Sequence, residues 1–170
     1  MNIYIKVEIK NRDLLSRLLL GCYAALKNND VYIGDDELFE YVQKKKFNPG
    51  IIFEKSITPK KERIDQLKNY KKNNCIITSL DEEGGYAALN YRDFATWRYS
   101  RKSLKLTDKA MCWGNFDYKI NVNLFKKYKK KFVITGNPRF DILKDRFSSL
   151  LTYENKKKDN PKNNKVVILS

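Results

Sequence analysis

Three successive carboxylates, Asp81, Glu82 and Glu83, stand between an apolar run and a glycine pair, Gly84-Gly85. Crowded carboxylates repel one another, and repulsion raises a pKa towards the range where a carboxyl can donate or accept a proton. Adjacent acids on a loop also serve as ordinary solvated charges. A second charged stretch, Glu8, Lys10 and Arg12 in "VEIKNRD", follows the first apolar run and reads either as a ligand-binding turn or as a plain exposed one. A third is "TGNPRFD". Here Gly136 permits backbone geometry or close approach that a side chain would block, Pro138 fixes φ, and Asn137 can bond local backbone or a ligand. Arg139 and Asp141 follow as an opposed pair. An arginine fork suits a phosphate or carboxylate, or a neighbouring acid that fixes the local fold. Trp113-Gly114, in "CWGN", completes the set.

The chain has 170 residues, 42% of them hydrophobic, enough for one ordinary domain with a real core. It contains no histidine. That excludes a Ser-His-Asp triad, a His-ligated zinc and imidazole acid-base work, so catalysis falls to carboxylates, lysine, tyrosine or backbone dipoles. Cys22, Cys75 and Cys112 are odd in number, far apart and set among apolar residues, the pattern of reduced core thiols. No run approaches the roughly 18 apolar residues of a membrane span, and the N-terminus lacks the zones of a secretory signal, so a cytoplasmic location is expected. The net charge of +15 comes from 27 Lys against 8 Arg. With many Asn, Ile and Tyr beside it, this excess reads as compositional bias rather than specific nucleic-acid binding, and suits peripheral contact with an anionic membrane face better.

The elements that must position these residues alternate. "NIYIKVEI" (2–9) puts Ile3, Ile5, Val7 and Ile9 on one face of a strand, and Asn11 stands where a helix N-cap is expected. Leu14, Leu15, Leu18, Leu19, Cys22 and Leu26 then predict a helix over 12–28 with that face on a sheet. Strands at 30–34, 50–56, 75–86 (ending in the three acids and two glycines), 109–114 and from 132 alternate with helices at 36–45, 59–73, 99–107 and 116–130. About six strands alternating with helices predict an α/β, Rossmann-like doubly wound parallel sheet. Open parallel sheets bind ligands beyond the carboxyl ends of their strands, where all the charged stretches above are expected to lie.

Taken in order, "VEIKNRD", "SLDEEGG", "CWG" and "TGNPRFDIL" resemble the N-terminal half of bacterial surface-carbohydrate biosynthesis proteins, which are similar to GT-B glycosyltransferases. The resemblance covers Ile3 to Leu143. The last motif alone is less specific, since similar turns occur in UDP-N-acetylglucosamine 2-epimerases and in glycerophosphotransferases of teichoic acid synthesis. The resemblance implies an enzyme in which the first domain binds the acceptor and the second the nucleotide-sugar donor, CMP- or UDP-linked. It implies a glycan or lipid-linked acceptor, no metal and no resident cofactor. Glu83, and after it Glu82, would deprotonate the acceptor hydroxyl or stabilise an oxocarbenium-like centre. Glu8, Lys10, Arg12, Asp81, Gly84 and Gly85 would bind the acceptor. Trp113, Gly114, Gly136, Asn137, Arg139 and Asp141 would face the interdomain cleft and the donor. On this reading residues 1–151 form the acceptor-side domain, 152–164 a polar linker and 165–170 the first strand of a second domain, so that this stretch alone is inactive. The aromatic and basic run 91–101 would stack a sugar, lie on the membrane or place Phe94 and Trp97 in the core. Two alternatives share these features: a sugar-nucleotide epimerase, and a non-catalytic basic module for polyanions or a membrane surface.

Overall fold

The computed structural model describes residues 1–44, 47–83 and 90–147. Six strands form one all-parallel sheet: β1 (Asn2–Lys6), β2 (Asp30–Gly34), β3 (Gly50–Glu54), β4 (Ile76–Leu80), β5 (Lys109–Cys112) and β6 (Phe132–Ile134). Their order is β2-β1-β3-β4-β5-β6. Between them run α1 (Lys10–Ala25), α2 (Asp36–Gln43), α3 (Lys61–Lys72), α4 (Tyr91–Arg98), α5 (Arg101–Leu106) and α6 (Asn115–Leu124), and α7 (Pro138–Asp141) follows β6. This is the Rossmann-like doubly wound plan. The direction of winding reverses between β1 and β3, so the crevice of the fold opens beyond the carboxyl ends of those two strands. The expected linker 152–164 and strand 165–170, with Gly84 and Gly85, lie outside the described residues.

Neighbouring strand residues serve opposite faces of the sheet. Tyr4, Ile52 and Ile77 join Phe39, Leu67, Tyr70 and Leu104 in the larger core. Ile5, Phe53 and Leu80 form a smaller one with Leu20 of α1. Two predicted helices are shorter than expected. Ser100 and Ser103 form a reciprocal capping box, with Ser100 in extended conformation, so the helix predicted at 99–107 is confined to α5, and α4, which precedes it, was not predicted. The helix predicted at 116–130 ends at Leu124, and Lys126–Lys131 continue as a 3₁₀ helix. Like charges one turn apart oppose an α-helix through "KKYKKK". Lys131 instead donates to the carbonyl of Leu104 at 2.7 Å, at the carboxyl end of α5.

The first helix departs most from expectation. Its N-cap is Ile9, not Asn11, and carries no side-chain cap. The carboxylate of Asp13 takes its place, accepting the Ile9 amide at 3.1 Å. Nor does the leucine stripe face inward. Asp13, Ser16, Arg17 and Gly21 are buried, whereas Leu15, Leu18, Cys22 and Leu26 are exposed. Two contacts set this rotation. A side chain at Gly21 would come within 2.8 Å of Ile33 Cδ1, so that glycine permits close seating on β2. Arg17 and Asp13 are held by charges described below. Cys22 is therefore not a core thiol, while Cys75 and Cys112 are. Burial pushes the Cys112 thiol up to about 12, so it stays protonated.

Candidate active site

The chain leaves β4 at Leu80 and turns at Glu82-Glu83, with the amide of Glu82 donating to the carbonyl of Lys55 at 3.2 Å. The three acids do not act as a group, because they engage different arginines. Asp81 and Glu83 share Arg98: its Nε donates to Asp81 Oδ2 at 2.8 Å and its Nη1 to Glu83 Oε2 at 3.1 Å. Asp81 also accepts the Glu83 amide at 3.0 Å. Burial raises the Asp81 pKa, and the Arg98 hydrogen bond works against that rise. Repulsion between the acids, the origin expected from sequence, is the smallest contribution. Glu83 itself has a side chain 54% exposed.

Glu82 points the other way, into a buried ion network. Its Oε1 accepts from Arg17 Nη2, and its Oε2 accepts from Arg139 Nη2 at 2.9 Å. Arg139 also reaches Asp13 Oδ1 at 3.5 Å, and Arg12 Nε donates to the same carboxylate. Burial alone would raise the Asp13 carboxyl, but Arg12 and the amides of Ile9 and Glu8 hold it at about 2. Arg17 is fully buried, and its guanidinium lies 4.7 Å from the centre of the Phe53 ring. Nε and Nη1 of Arg17 and Nδ2 of Asn137 are buried without a hydrogen-bond partner among the described residues.

The remaining motifs frame this edge. Trp113 Nε1 donates to the Asp81 carbonyl at 2.8 Å, and its ring meets Phe140 edge-on at 5.2 Å. Asp117 holds the "CWGN" turn by accepting the amides of Trp113 and Gly114 at 2.8 and 2.9 Å. Beyond β6, Gly136 has φ +76°, in the left-handed region, and Asn137 caps α7 by accepting the Arg139 amide at 3.0 Å. Pro138 takes the first helical position, where its missing N–H costs nothing. Asp141 pairs with Lys144 and lines an apolar cleft rather than the crevice.

The crevice beyond β1 and β3 has a volume of about 780 Å³. Its lining is strongly polar and largely paired: Lys6 with Asp36, Lys55 with Glu8, and Arg98 with Glu83, beside Ser56 and Thr58. The Lys55 hydrogen bond and charge lower the Glu8 pKa and keep it ionised. Beneath, the buried carboxylate of Glu54 accepts from Tyr70 Oη at 3.1 Å and Arg63 Nη1 at 3.0 Å. Such a surface offers closely spaced donors and acceptors without a dominant charge, which suits a polyhydroxylated ligand. Of the residues singled out from sequence, Glu8 and Glu83 line this crevice, and Asp81 meets it through Arg98. Arg12, Glu82, Asn137 and Arg139 gather behind it, while Lys10 is exposed at the start of α1. Sequence reasoning passed over Lys6, Asp13, Arg17, Lys55 and Arg98. For Arg17 a signal existed: residues 13, 17, 20, 21 and 24 also follow helical spacing, with two charges inside the stripe. The chain matches no protein-family model and no curated protein sequence.

Proposed function

We propose that the chain is the acceptor-side domain of a nucleotide-sugar-dependent glycosyltransferase of bacterial surface-polysaccharide synthesis, with the crevice beyond β1 and β3 as its acceptor site. One observation carries this reading. Motifs as far apart as Glu8 and Arg139 converge on one sheet edge, and the crevice beside them is lined by paired charges suited to sugar hydroxyls. Glu83 is the general base, since its carboxylate is exposed in the crevice and, among the described residues, has Arg98 as its one side-chain partner, which fixes its direction. Glu82, with both oxygens held by arginines, positions the loop that carries Glu83.

In the complete two-domain enzyme, Glu83→Gln is expected to lower turnover with CMP- or UDP-sugars by about a hundredfold or more while lowering the melting temperature by less than about 4 °C. Near-normal turnover overturns the assignment of the base. An altered nucleotide sugar, formed without any glycosylated acceptor, overturns the transferase reading.

A further inference from the structure

The positive charge is not spread evenly over the fold. Between Arg101 and Lys131 there are ten Lys or Arg and two Asp. Both aspartates already have partners of their own, although Asp108 also attracts Lys131. Asp117 is buried against the Trp113 and Gly114 amides, and Asp108 holds Lys71 and the Ile77 amide. The fold then places these cations side by side. On one flank of α5, a groove shared with α3 is lined by Lys61, Lys68, Lys102 and Lys105, with Asp65 its one acid, paired to Lys68 at 2.8 Å. On the other flank, Arg101 lines a groove with Lys126 and Lys127. The two flanks are joined by Lys131, which donates to the Leu104 carbonyl, and by Lys109 Nζ, which donates to the Lys130 carbonyl at 3.3 Å. Lys126, Lys127, Lys129 and Lys130 are all exposed.

We infer that this lysine band over α3, α5 and the 3₁₀ helix 126–131 is a docking surface for an anionic lipid membrane. The charge carriers are almost all lysines, compact point charges on flexible stems that suit a diffuse layer of lipid phosphates. A surface that grips nucleic acid adds aromatic faces for the bases. Here the aromatic side chains of the 3₁₀ helix and its entry turn inward: Phe125 packs on Tyr99 and Phe132, and Tyr128 joins the core cluster. The band lies on the outer side of the helical layer, away from the smaller core under α1. The inference does not depend on the glycosyl-transfer reading.

The test is sedimentation of the purified chain with phosphatidylcholine vesicles, with and without phosphatidylglycerol. Binding is expected only to the anionic vesicles and should weaken as salt rises. Each lysine near such a surface is worth about 1 kcal/mol, so Lys126→Gln/Lys127→Gln should weaken partitioning roughly 30-fold. Lys27→Gln/Lys44→Gln removes the same charge near β2, the edge strand opposite β6, and should cost less than about threefold if attraction is local. Equal losses in both variants overturn the band in favour of undirected net charge, and absence of binding to anionic vesicles overturns the inference outright. Tighter binding to a nucleic-acid duplex than to anionic vesicles at the same salt, lost in Lys126→Gln/Lys127→Gln, reassigns the band to nucleic acid and also overturns it.

Discussion

Neutralising Glu82 should unfold this protein more readily than any other single change among the three adjacent acids. Its side chain is 4% exposed, and each oxygen holds a different arginine. Glu82→Gln would leave the Arg17 and Arg139 guanidinium groups with Asp13 as the one remaining carboxylate of the network, and Asp13 already serves Arg12. Arg17 cannot turn to water, because it is fully buried and rests on the Phe53 ring. Removing one partner of a buried ion pair costs about 3–5 kcal/mol. In a domain of this length each kcal/mol lowers the melting temperature by about 2–4 °C, so a fall of roughly 6–20 °C is expected. Urea unfolding with an unchanged m-value is the assay. Glu83→Gln is the internal control: that side chain is mostly exposed and has one hydrogen bond, so its loss should cost less than about 1 kcal/mol. Replacing the charges together, as Arg17→Met/Glu82→Leu, should cost less than Glu82→Gln alone. A cost below about 1 kcal/mol for Glu82→Gln would refute the reasoning, since it would mean that water reaches the network.

The Asp13 carboxyl, held at about 2 and so below the ordinary carboxylate range, stabilises the folded chain above the unfolded pKa, and that contribution is lost as pH falls through about 2. Urea midpoints followed from neutral to acid pH should therefore fall less steeply for Asp13→Asn than for the wild type, and parallel curves would refute the assignment. The two glycines of the site edge should behave oppositely. Gly136→Ala forces a side chain to φ +76° and should cost about 1–2 kcal/mol although there is open space for it. Gly114→Ala, at φ −169° with nothing within 4 Å, should be neutral or stabilise by up to about 1 kcal/mol, read from the same urea curves.

The sheet was legible in the sequence because each strand is a short apolar run closed by a turn signal, and these signals are local. "TGNPRFD" was legible for the same reason: left-handed glycine, N-cap asparagine and first-turn proline each act within two residues. The orientation of α1 was not. Its outward leucines and its inward Asp13, Arg17 and Gly21 both follow helical spacing, and the choice between them depends on Ile33 and Glu82, which are distant in the chain. The carboxylate run was legible as chemistry but not as geometry. Its residues divide between two arginine systems because the chain turns just past Leu80, and nothing in the three residues themselves announces which way each side chain leaves that turn.

The network at Glu82 also bears on how the chain finds its fold. Arg17 lies 65 residues from Glu82, and Arg139 lies 57 residues beyond it. A one-residue slip of β4 against β3 would swing every side chain of that strand to the opposite face and carry Glu82, two residues beyond it, away from Arg17 and Arg139. Parallel strands tolerate such slips in their backbone hydrogen bonds, but a buried guanidinium without its counter-charge does not. Three charges from three remote segments thus check that the first, fourth and last parts of the sheet have assembled in step. The buried arginine discriminates against misaligned copies of the same fold more than it strengthens the correct one.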